Sequence, residues 1–352
     1  GMTCEIAIMN KTAVALAADS AATISLSGTN KVFNDANKLF TLSKYAPVAI
    51  MIYNNATILD VPWETIIKIY REKLYDQRYS KLEYYTSDFI SFIRDFDYKW
   101  SINDVQVKRF FKNIYESIIA DAPSELASAD AVTKIERIHY ELRKKIEDDE
   151  KLNKTIETYK DKVEISDDSF SRLFNKTGYD KIREIIISLA YFQFNKTGIV
   201  IAGFGEDELF PCLRSFSVES NCFGVFSVSG IDESNDIGVY PFAQTDDIRG
   251  FIEGIDPKSR KNIEAVLERI LTERLPNVFQ RILSDFVVKG NEDDMDVPLS
   301  NILEVCNGTK EEIFKDFYSF RIRNFVGPII NTVGFLNTCE LATMVTELVN
   351  LS

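Results

Sequence analysis

The sequence predicts an α+β fold in which short antiparallel strands come first, a helical block follows, and strands then return before a helical end. Two observations support this prediction. Apolar runs that alternate or are continuous, bounded by turn residues, occur within residues 4–53 and 197–229, and such runs are typical of strands. Between about residues 56 and 194, apolar residues recur at the three- and four-residue spacing of amphipathic helices.

The first strands are close together in the sequence. Residues Cys4–Met9 alternate, and residues 12–18 form a small, apolar run that suits a buried strand. A short turn at Asn10 and Lys11 separates the two. Residues 39–42 and Val48–Tyr53 are predicted to be the next two strands.

The helical block begins with a proline-marked start at Pro62. The apolar residues that then recur at helical spacing are Trp63, Ile66, Ile67, Tyr70 and Leu74. Further helices are predicted around residues 89–96, 110–118, 124–151 and 179–194. Strands return at residues 197–203, 213–219 and 223–229, and two long helices are predicted at 258–288, broken or kinked near Pro276, and 328–351.

Composition limits the classes of function. The chain of 352 residues carries a net charge of −13, which argues against binding to a nucleic-acid backbone, because that requires clustered Lys and Arg. The longest apolar runs are far shorter than the ~20 residues of a membrane span. The five cysteines lack a CxxC pair. With no secretory signal pattern, these features predict a cytoplasmic protein with reduced thiols.

The histidine content narrows the possible chemistry. His139 is the only histidine in the sequence, and it lies in an amphipathic run that indicates an ordinary helix residue. A Ser-His-Asp triad or a multi-histidine metal site would depend on this one residue. We therefore expect no metal or organic cofactor, and a catalytic base other than imidazole.

Three residues near the beginning form an ordered pattern. Thr3 precedes the first strand, Asp19 follows the second in the run Ala-Ala-Asp-Ser-Ala-Ala-Thr, and Lys38 precedes the third in the run Lys-Leu-Phe-Thr-Leu. Lys31 is the competing lysine. Lys38 is preferred because the apolar residues after it fall in strand register.

This pattern resembles the N-terminus of proteasome β-subunits and of the bacterial proteases HslV and Anbu, which are N-terminal-nucleophile (Ntn) hydrolases. In that family a terminal threonine precedes a hairpin ending in Ala-Ala-Asp, and a lysine opens the next strand. A second patch at residues 199–217, which contains the turn Gly203-Phe204-Gly205, is similar to a later strand pair of the family. The arginine that the family has after Asp-Ser is Ala21 here.

The resemblance implies a fold and a division of the chain. The expected fold is an αββα sandwich of antiparallel sheets with a large all-helical insertion. Residues 3–79 would form the first half of the core, 80–177 the insertion, and 178–352 the second half. The two family helices between the halves are expected at residues 62–74 and 179–194. The family fold also ends in a strand pair, whereas this sequence ends in a helical run at 339–349.

The resemblance also implies site residues. Thr3, Asp19 and Lys38 are the expected catalytic residues. Asn54 and Asn55 occupy the turn that would hold the oxyanion, where the family usually has glycine, and Ser229 is a candidate supporting serine. The expected partners are a peptide or protein substrate and further copies of the chain in a homo-oligomer.

The chemistry of such a site can be stated from the residues alone. A threonine hydroxyl needs a base to remove its proton, and a terminal α-amine, with a pKa of ~7.7–8.0, can serve as that base. Removal of Met2 would expose Thr3 without a propeptide. Gly1, typical of a residue left after tag removal, and Met2 together block the amine, so the form that retains them is expected to be inactive.

Two alternatives remain open at this stage. The chain could be a catalytically inactive Ntn-fold protein whose helical insertion binds a protein partner. It could instead be an unrelated helical adaptor in which the N-terminal pattern arose by chance. The first alternative is favoured by the altered turn at Asn54 and Asn55 and by the unmatched second half.

Overall fold

The chain is mixed α+β with antiparallel sheets. The computed structural model describes residues 4–19, 22–26, 29–33, 38–59, 61–96, 98, 104–120, 129–146, 149–164, 176–243, 246–287 and 299–350. It divides into two compact units. Unit I is built from Ser20–Asn235, and unit II combines Met2–Asp19 with Asp236–Ser352.

Unit I contains a five-stranded antiparallel sheet in the order β11-β10-β9-β6-β5. Its strands are β5 (Leu39–Thr41), β6 (Val48–Tyr53), β9 (Asn195–Gly203), β10 (Cys212–Ser220) and β11 (Phe226–Ser234). Strand β9 lies in the middle and is buried from Thr197 to Gly203, which explains why its sequence is continuously apolar rather than alternating.

Two small hairpins accompany this sheet. Strands β3 (Ala22–Leu26) and β4 (Thr29–Phe33) pair with each other, as do β7 (Thr57–Ile58) and β8 (Val61–Pro62). The sequence patterns did not predict either hairpin, because strands this short carry too few alternating positions to stand out.

Two helices cover the five-stranded sheet. They are α1 (Trp63–Leu74) and α2 (Leu82–Asp95). Their buried residues recur at helical spacing and join Ile50, Ile201 and Phe216 of the sheet in one core. Burial of each such large side chain contributes roughly 1.5–3 kcal/mol relative to exposure. The second helix was expected to belong to the insertion, but its apolar face lies in the core of the sheet.

A separate helical cluster forms the rest of unit I. Its helices are α3 (Asp104–Ala120), α4 (Ala129–Ile146), α5 (Glu150–Tyr159) and α6 (Lys176–Phe192). Phe111, Leu152 and Ile186 are buried together in its core. Helix α6, which was expected to cover the sheet, therefore packs within this cluster. The helices on the sheet end with α2, and the cluster extends from α3 to α6. Neither limit of the cluster therefore coincides with the expected boundaries at residues 80 and 177.

A buried asparagine connects the helical cluster to the sheet within unit I. Asn221 is 1% exposed, and its Nδ2 donates to the carbonyl of Tyr191 at 2.8 Å. Its Oδ1 accepts from the backbone N–H groups of Phe223 and Val225 at 3.0 and 3.1 Å. The turn between β10 and β11 is therefore fixed to the C-terminal end of α6.

Unit II contains a three-stranded antiparallel sheet in the order β12-β1-β2. The strands are β1 (Cys4–Met9), β2 (Val14–Ala18) and β12 (Gly238–Ala243). One face of β1, formed by Cys4, Ile6 and Ile8, is buried against apolar residues from the helices of this unit. The helices are α7 (Asp246–Glu253), α8 (Pro257–Arg269), α9 (Leu275–Val287), α10 (Leu299–Arg321), α11 (Gly327–Phe335) and α12 (Thr338–Asn350).

The turn between β1 and β2 is fixed by Asn10. Its Nδ2 donates to the carbonyls of Val333 and Leu336 at 3.0 and 2.8 Å. Its Oδ1 accepts from the N–H groups of Thr12 and Ala13 at 2.9 and 3.1 Å. One buried amide thus closes the hairpin turn and also holds it to the end of α11.

The long helices of unit II each contain a π-helical turn just before a proline. Ile270–Arg274 joins α8 to α9 ahead of Pro276, and Ile322–Val326 joins α10 to α11 ahead of Pro328. Proline has no N–H to donate and its ring clashes with the carbonyl four residues earlier. The wider turn accommodates this, so the helix that was expected to be broken or kinked near Pro276 is not broken there but contains a π-helical irregularity. Within the described ranges, no helix is both long and apolar enough to span a membrane.

Candidate functional site

The beginning of β1 is the centre of the predicted site. Thr3 itself lies outside the described residues. The next residue, Cys4, is described, and its carbonyl accepts a hydrogen bond from the N–H of Asp19 at 2.9 Å. The β1–β2 register, in which Glu5 is opposite Ala18, therefore places the predicted aspartate directly across the hairpin from the neighbour of Thr3.

The other side of β1 contains a feature that the sequence patterns did not reveal. Cys4 is paired there with Ala243 at the end of β12. Ala243 has a φ of 60°, in the left-handed region that a residue with a Cβ seldom adopts. Beyond residues 244–245, which lie outside the described ranges, α7 begins with Asp246 and Asp247 in its first turn. The sequence signal was the change from the apolar residues before position 244 to the polar residues that follow it.

Glu5 is a second feature that was missed. It is an acidic residue inside an apolar strand, between Ala18 of β2 and Phe242 of β12, and its exposed fraction is 0%. Burial of a carboxylate is costly unless its charge is compensated, and such groups are found more often at functional sites than elsewhere. Its position two residues after Thr3 could have been noted from the sequence.

Lys38 lies in unit I, at the residue before β5. Its carbonyl accepts a hydrogen bond from the N–H of Ile52 at 2.8 Å, so the backbone at Lys38 continues the pairing of β5 with β6. The alternative residue, Lys31, is in β4 and lies opposite Ile24 of the small β3–β4 hairpin. The two lysines therefore belong to different sheets, and only Lys38 is next to the end of β6.

Asn54 follows β6 and has the conformation that glycine usually supplies. Its φ is 73°, and asparagine is one of the few other residues that enter this region at moderate cost. Asparagine at this position is thus compatible with a left-handed turn. Because Lys38 is opposite Ile52, Lys38 and Asn54 lie at the same corner of the five-stranded sheet.

Asn55 has a structural role in the same turn. Its Nδ2 donates to the carbonyl of Lys196 at 3.0 Å, and its backbone N–H donates to the carbonyl of Tyr53 at 3.2 Å. These bonds hold the end of β6 against the start of β9. The backbone N–H of Asn55 and one N–H of its side-chain amide are therefore already engaged, and Asn54 is the better candidate for an oxyanion donor.

Ser229 is at the opposite edge of the same sheet. It lies in β11, opposite Ser217, whereas Lys38 precedes β5 at the other edge. Four inter-strand spacings of about 4.8 Å separate these edges, or roughly 19 Å. The sheet does not bring Ser229 and Lys38 to one reacting atom.

His139 connects two helices of the cluster. Its Nε2 is 2.5 Å from Oε2 of Glu184, on α6, and Arg143 Nη2 is 2.8 Å from Oε1 of the same carboxylate. The histidine thus takes part in an ion-pair network between α4 and α6. Among the described residues, no cluster of three or more His, Cys, Asp or Glu side chains is arranged to hold a metal ion.

Comparison with known proteins adds no family assignment. The chain matches no protein-family model, and no curated protein is significantly similar to it.

Proposed function

We propose that the chain is an Ntn-type hydrolase that cleaves peptide or amide bonds with Thr3 as its nucleophile. The observation that carries the proposal is the hairpin register, because it pairs Asp19 with the residue next to Thr3. The three-stranded arrangement of β12, β1 and β2 is not required by the sequence pattern alone. In the proposed fold, the two antiparallel sheets would form the inner layers of an αββα sandwich with the helical cluster as an insertion.

The proposed reaction begins when Met2 has been removed and the α-amine of Thr3 is free. The amine takes the proton from the Thr3 hydroxyl as its Oγ attacks the substrate carbonyl. The proton then passes to the leaving amine as the carbon–nitrogen bond breaks, which leaves an acyl ester on Oγ. Water attacks this ester and gives a proton to the α-amine, which returns it to Oγ as the ester carbon–oxygen bond breaks and the acid is released.

The roles of the surrounding groups in the mechanism are proposed from their charge and their position in the chain. Asp19 and Lys38 would set the electrostatics of the amine and hydroxyl, since a nearby cation favours the deprotonated forms. The backbone N–H of Asn54 would stabilise the oxyanion. Ser229 has no role in the proposed mechanism, because it lies in the edge strand far from Lys38. Asn55 has none either, because its backbone N–H and its side-chain amide already donate to neighbouring carbonyls. Glu5 is a further candidate, as a buried carboxylate two residues after Thr3 in the sequence.

The proposal also includes the substrate, the absence of a cofactor and the oligomeric state. A peptide or protein would be the substrate, and no metal or organic cofactor takes part. We propose a cytoplasmic homo-oligomer in which the helical cluster acts as a lid, a gate or an assembly element.

The test is covalent trapping on protein with Thr3 at its N-terminus. A threonine-directed electrophile should add once per chain, as measured by intact mass, and Thr3→Ala should abolish the adduct. The form that keeps Gly1 and Met2 is the matched control, because it has the same hydroxyl but lacks the free amine at Thr3. We expect no adduct on that form.

A paired substitution tests the choice of lysine. Lys38→Ala should slow adduct formation by at least about a hundredfold, as is typical when a group that tunes the nucleophile is lost, and Lys31→Ala should leave the rate within about twofold. Equal rates for the two variants would remove Lys38 from the mechanism.

The second candidate function is a catalytically inactive Ntn-fold protein whose helical cluster binds a protein partner. The structural role of Asn55 and the edge position of Ser229 favour it, because both residues were expected to support catalysis. Absence of any adduct on correctly processed, folded protein would select this function over the first.

A further inference from the structure

A small cavity on the helical cluster has an unusual concentration of positive charge. It has a volume of about 270 Å³ and lies between α3 and the residues that follow α5. Its charged lining consists of Lys108, Arg109, Lys112, Lys162, Glu116 and Glu164. Four cations face two carboxylates, a local charge of +2, in a chain whose net charge is −13.

The cations are held on a rigid base. On α3, Val107 and Phe111 are each 2% exposed and lie in the core of the cluster. Val163, directly after Lys162, is buried in the same core. Both elements that carry the cations are thus fixed by apolar packing on their inner sides, which reduces the entropy lost when a ligand binds.

Each of the two carboxylates in the cavity forms an ion pair with one of its lysines. Glu164 Oε1 is 2.9 Å from Lys108 Nζ, and Glu116 Oε1 is 3.8 Å from Lys112 Nζ. The side chains of Glu164 and Glu116 are 74% and 58% exposed. Ion pairs this exposed contribute little free energy, so a more highly charged anion could displace either carboxylate.

The other two cations differ in their surroundings. Lys162 Nζ is 4.8 Å from the ring centre of Tyr159. Among the described residues, no carboxylate forms an ion pair with Arg109. A guanidinium offers a planar pair of donors that suits the oxygens of a phosphate.

We propose that this cavity binds a phosphate group, either free or as the monoester of a small molecule. A phosphate monoester carries a charge of about −1.5 to −2 at neutral pH, which matches the local excess of positive charge. Arg109 and Lys162 would bind the phosphate oxygens directly, and Lys108 and Lys112 would add charge as their carboxylates turn outward. The side wall formed by Tyr115 would contact an organic group.

Isothermal titration calorimetry on the whole chain tests this proposal. The probes are inorganic phosphate, phenyl phosphate, and phenol as the uncharged control. We expect saturable one-to-one binding of both phosphates and none of phenol. Tighter binding of phenyl phosphate would indicate an ester as the source, and equal binding would indicate free phosphate. Absence of saturable binding of either phosphate to folded protein would overturn the proposal.

Substitutions that remove single charges test whether the phosphate binds in this cavity. Arg109→Gln combined with Lys162→Gln should weaken binding at least about tenfold, through the loss of charge-assisted hydrogen bonds. Glu164→Gln should strengthen it about threefold, because a competing anion is removed. Lys154→Gln, on the exposed part of α5, is the matched control and should change binding less than about twofold. Unchanged binding in the double variant, with folding verified by circular dichroism, would contradict the assignment.

Discussion

At the scale of single residues, Asn54 shows that a residue with a side chain can adopt a backbone conformation that glycine usually supplies. Its positive φ is the feature on which the proposed oxyanion donor depends, because the direction of the N–H follows from the turn. The sequence identified the position but could not give its conformation, since asparagine is also common in ordinary turns.

Substitution of Asn54 tests the conformation separately from catalysis. Asn54→Ala should lower the free energy of unfolding by roughly 1 kcal/mol, because alanine is strained at this φ. Asn54→Gly should be close to neutral. Urea titrations followed by circular dichroism measure both. A loss for the glycine variant as large as that for alanine would show that the side chain, rather than the backbone, matters at this turn.

At the scale of elements, the turn Gly203-Phe204-Gly205 is held against the connection between α1 and α2. The N–H groups of Glu206 and Asp207 donate to the carbonyls of Tyr79 and Ser80, each at 3.0 Å. Glu208 accepts from the N–H groups of Gly205 and Leu82 at 2.7 and 3.0 Å. This close approach leaves no room for a side chain at residue 205.

Gly205→Ala should therefore destabilise the chain. The new Cβ would lie 2.3 Å from both the Cα of Lys81 and the carbonyl oxygen of Ser80, and backbone atoms cannot move aside without breaking the docking bonds. We expect a loss of roughly 1–3 kcal/mol. Gly308→Ala is the matched control in α10, where nothing lies within 4 Å, and it should add roughly 0.5–1 kcal/mol. Urea unfolding of both variants distinguishes a specific clash from a general intolerance of alanine.

The network between α4 and α6 predicts a dependence on pH. Burial alone would raise the pKa of Glu184, but hydrogen bonds from Arg143 and His139, with their charges, lower it overall. A carboxyl whose pKa is lower in the folded state stabilises the fold above its unfolded value of ~4.3, and this contribution is lost as the pH falls further. Stability should therefore decline below about pH 4.3.

Glu184→Gln should reduce that acid-induced decline and cost roughly 1–2 kcal/mol at pH 7. Glu141→Gln, which removes an exposed partner of Arg137, is the control and should cost less than about 1 kcal/mol. Thermal unfolding from pH 7 to pH 3 measures both. The same acid decline in Glu184→Gln as in the unmodified chain would assign the effect to other carboxylates.

At the scale of the whole molecule, periodicity predicted the type of most elements but not their partners. Strands β1, β2, β6, β9 and β10 lie close to their expected positions. Helix α2 was expected in the insertion and packs against the sheet, whereas α6 packs in the helical cluster. Both helices are amphipathic, and their sequences do not specify which core covers the apolar face. Strand β12 was not predicted, although it completes the surroundings of β1.

The sequence could predict the candidate site only in part, for the same reason. The hairpin that pairs Asp19 with Cys4 followed from local sequence, since a short turn fixes the register. The separation of Ser229 from Lys38 depends on the order of five strands, which local patterns do not contain. The residue opposite Glu5 on β12, Phe242, comes from a distant part of the chain, so local patterns do not reveal it.

Unit II also has a consequence for biosynthesis. Strand β1 is made early, whereas its partner β12 begins only at Gly238. At ~5–20 residues per second, ribosomes need roughly 10–50 s to make the intervening segment. During that interval the first strand lacks one of its two neighbours in the sheet. The three-stranded sheet can therefore close only after the greater part of the chain has been synthesised.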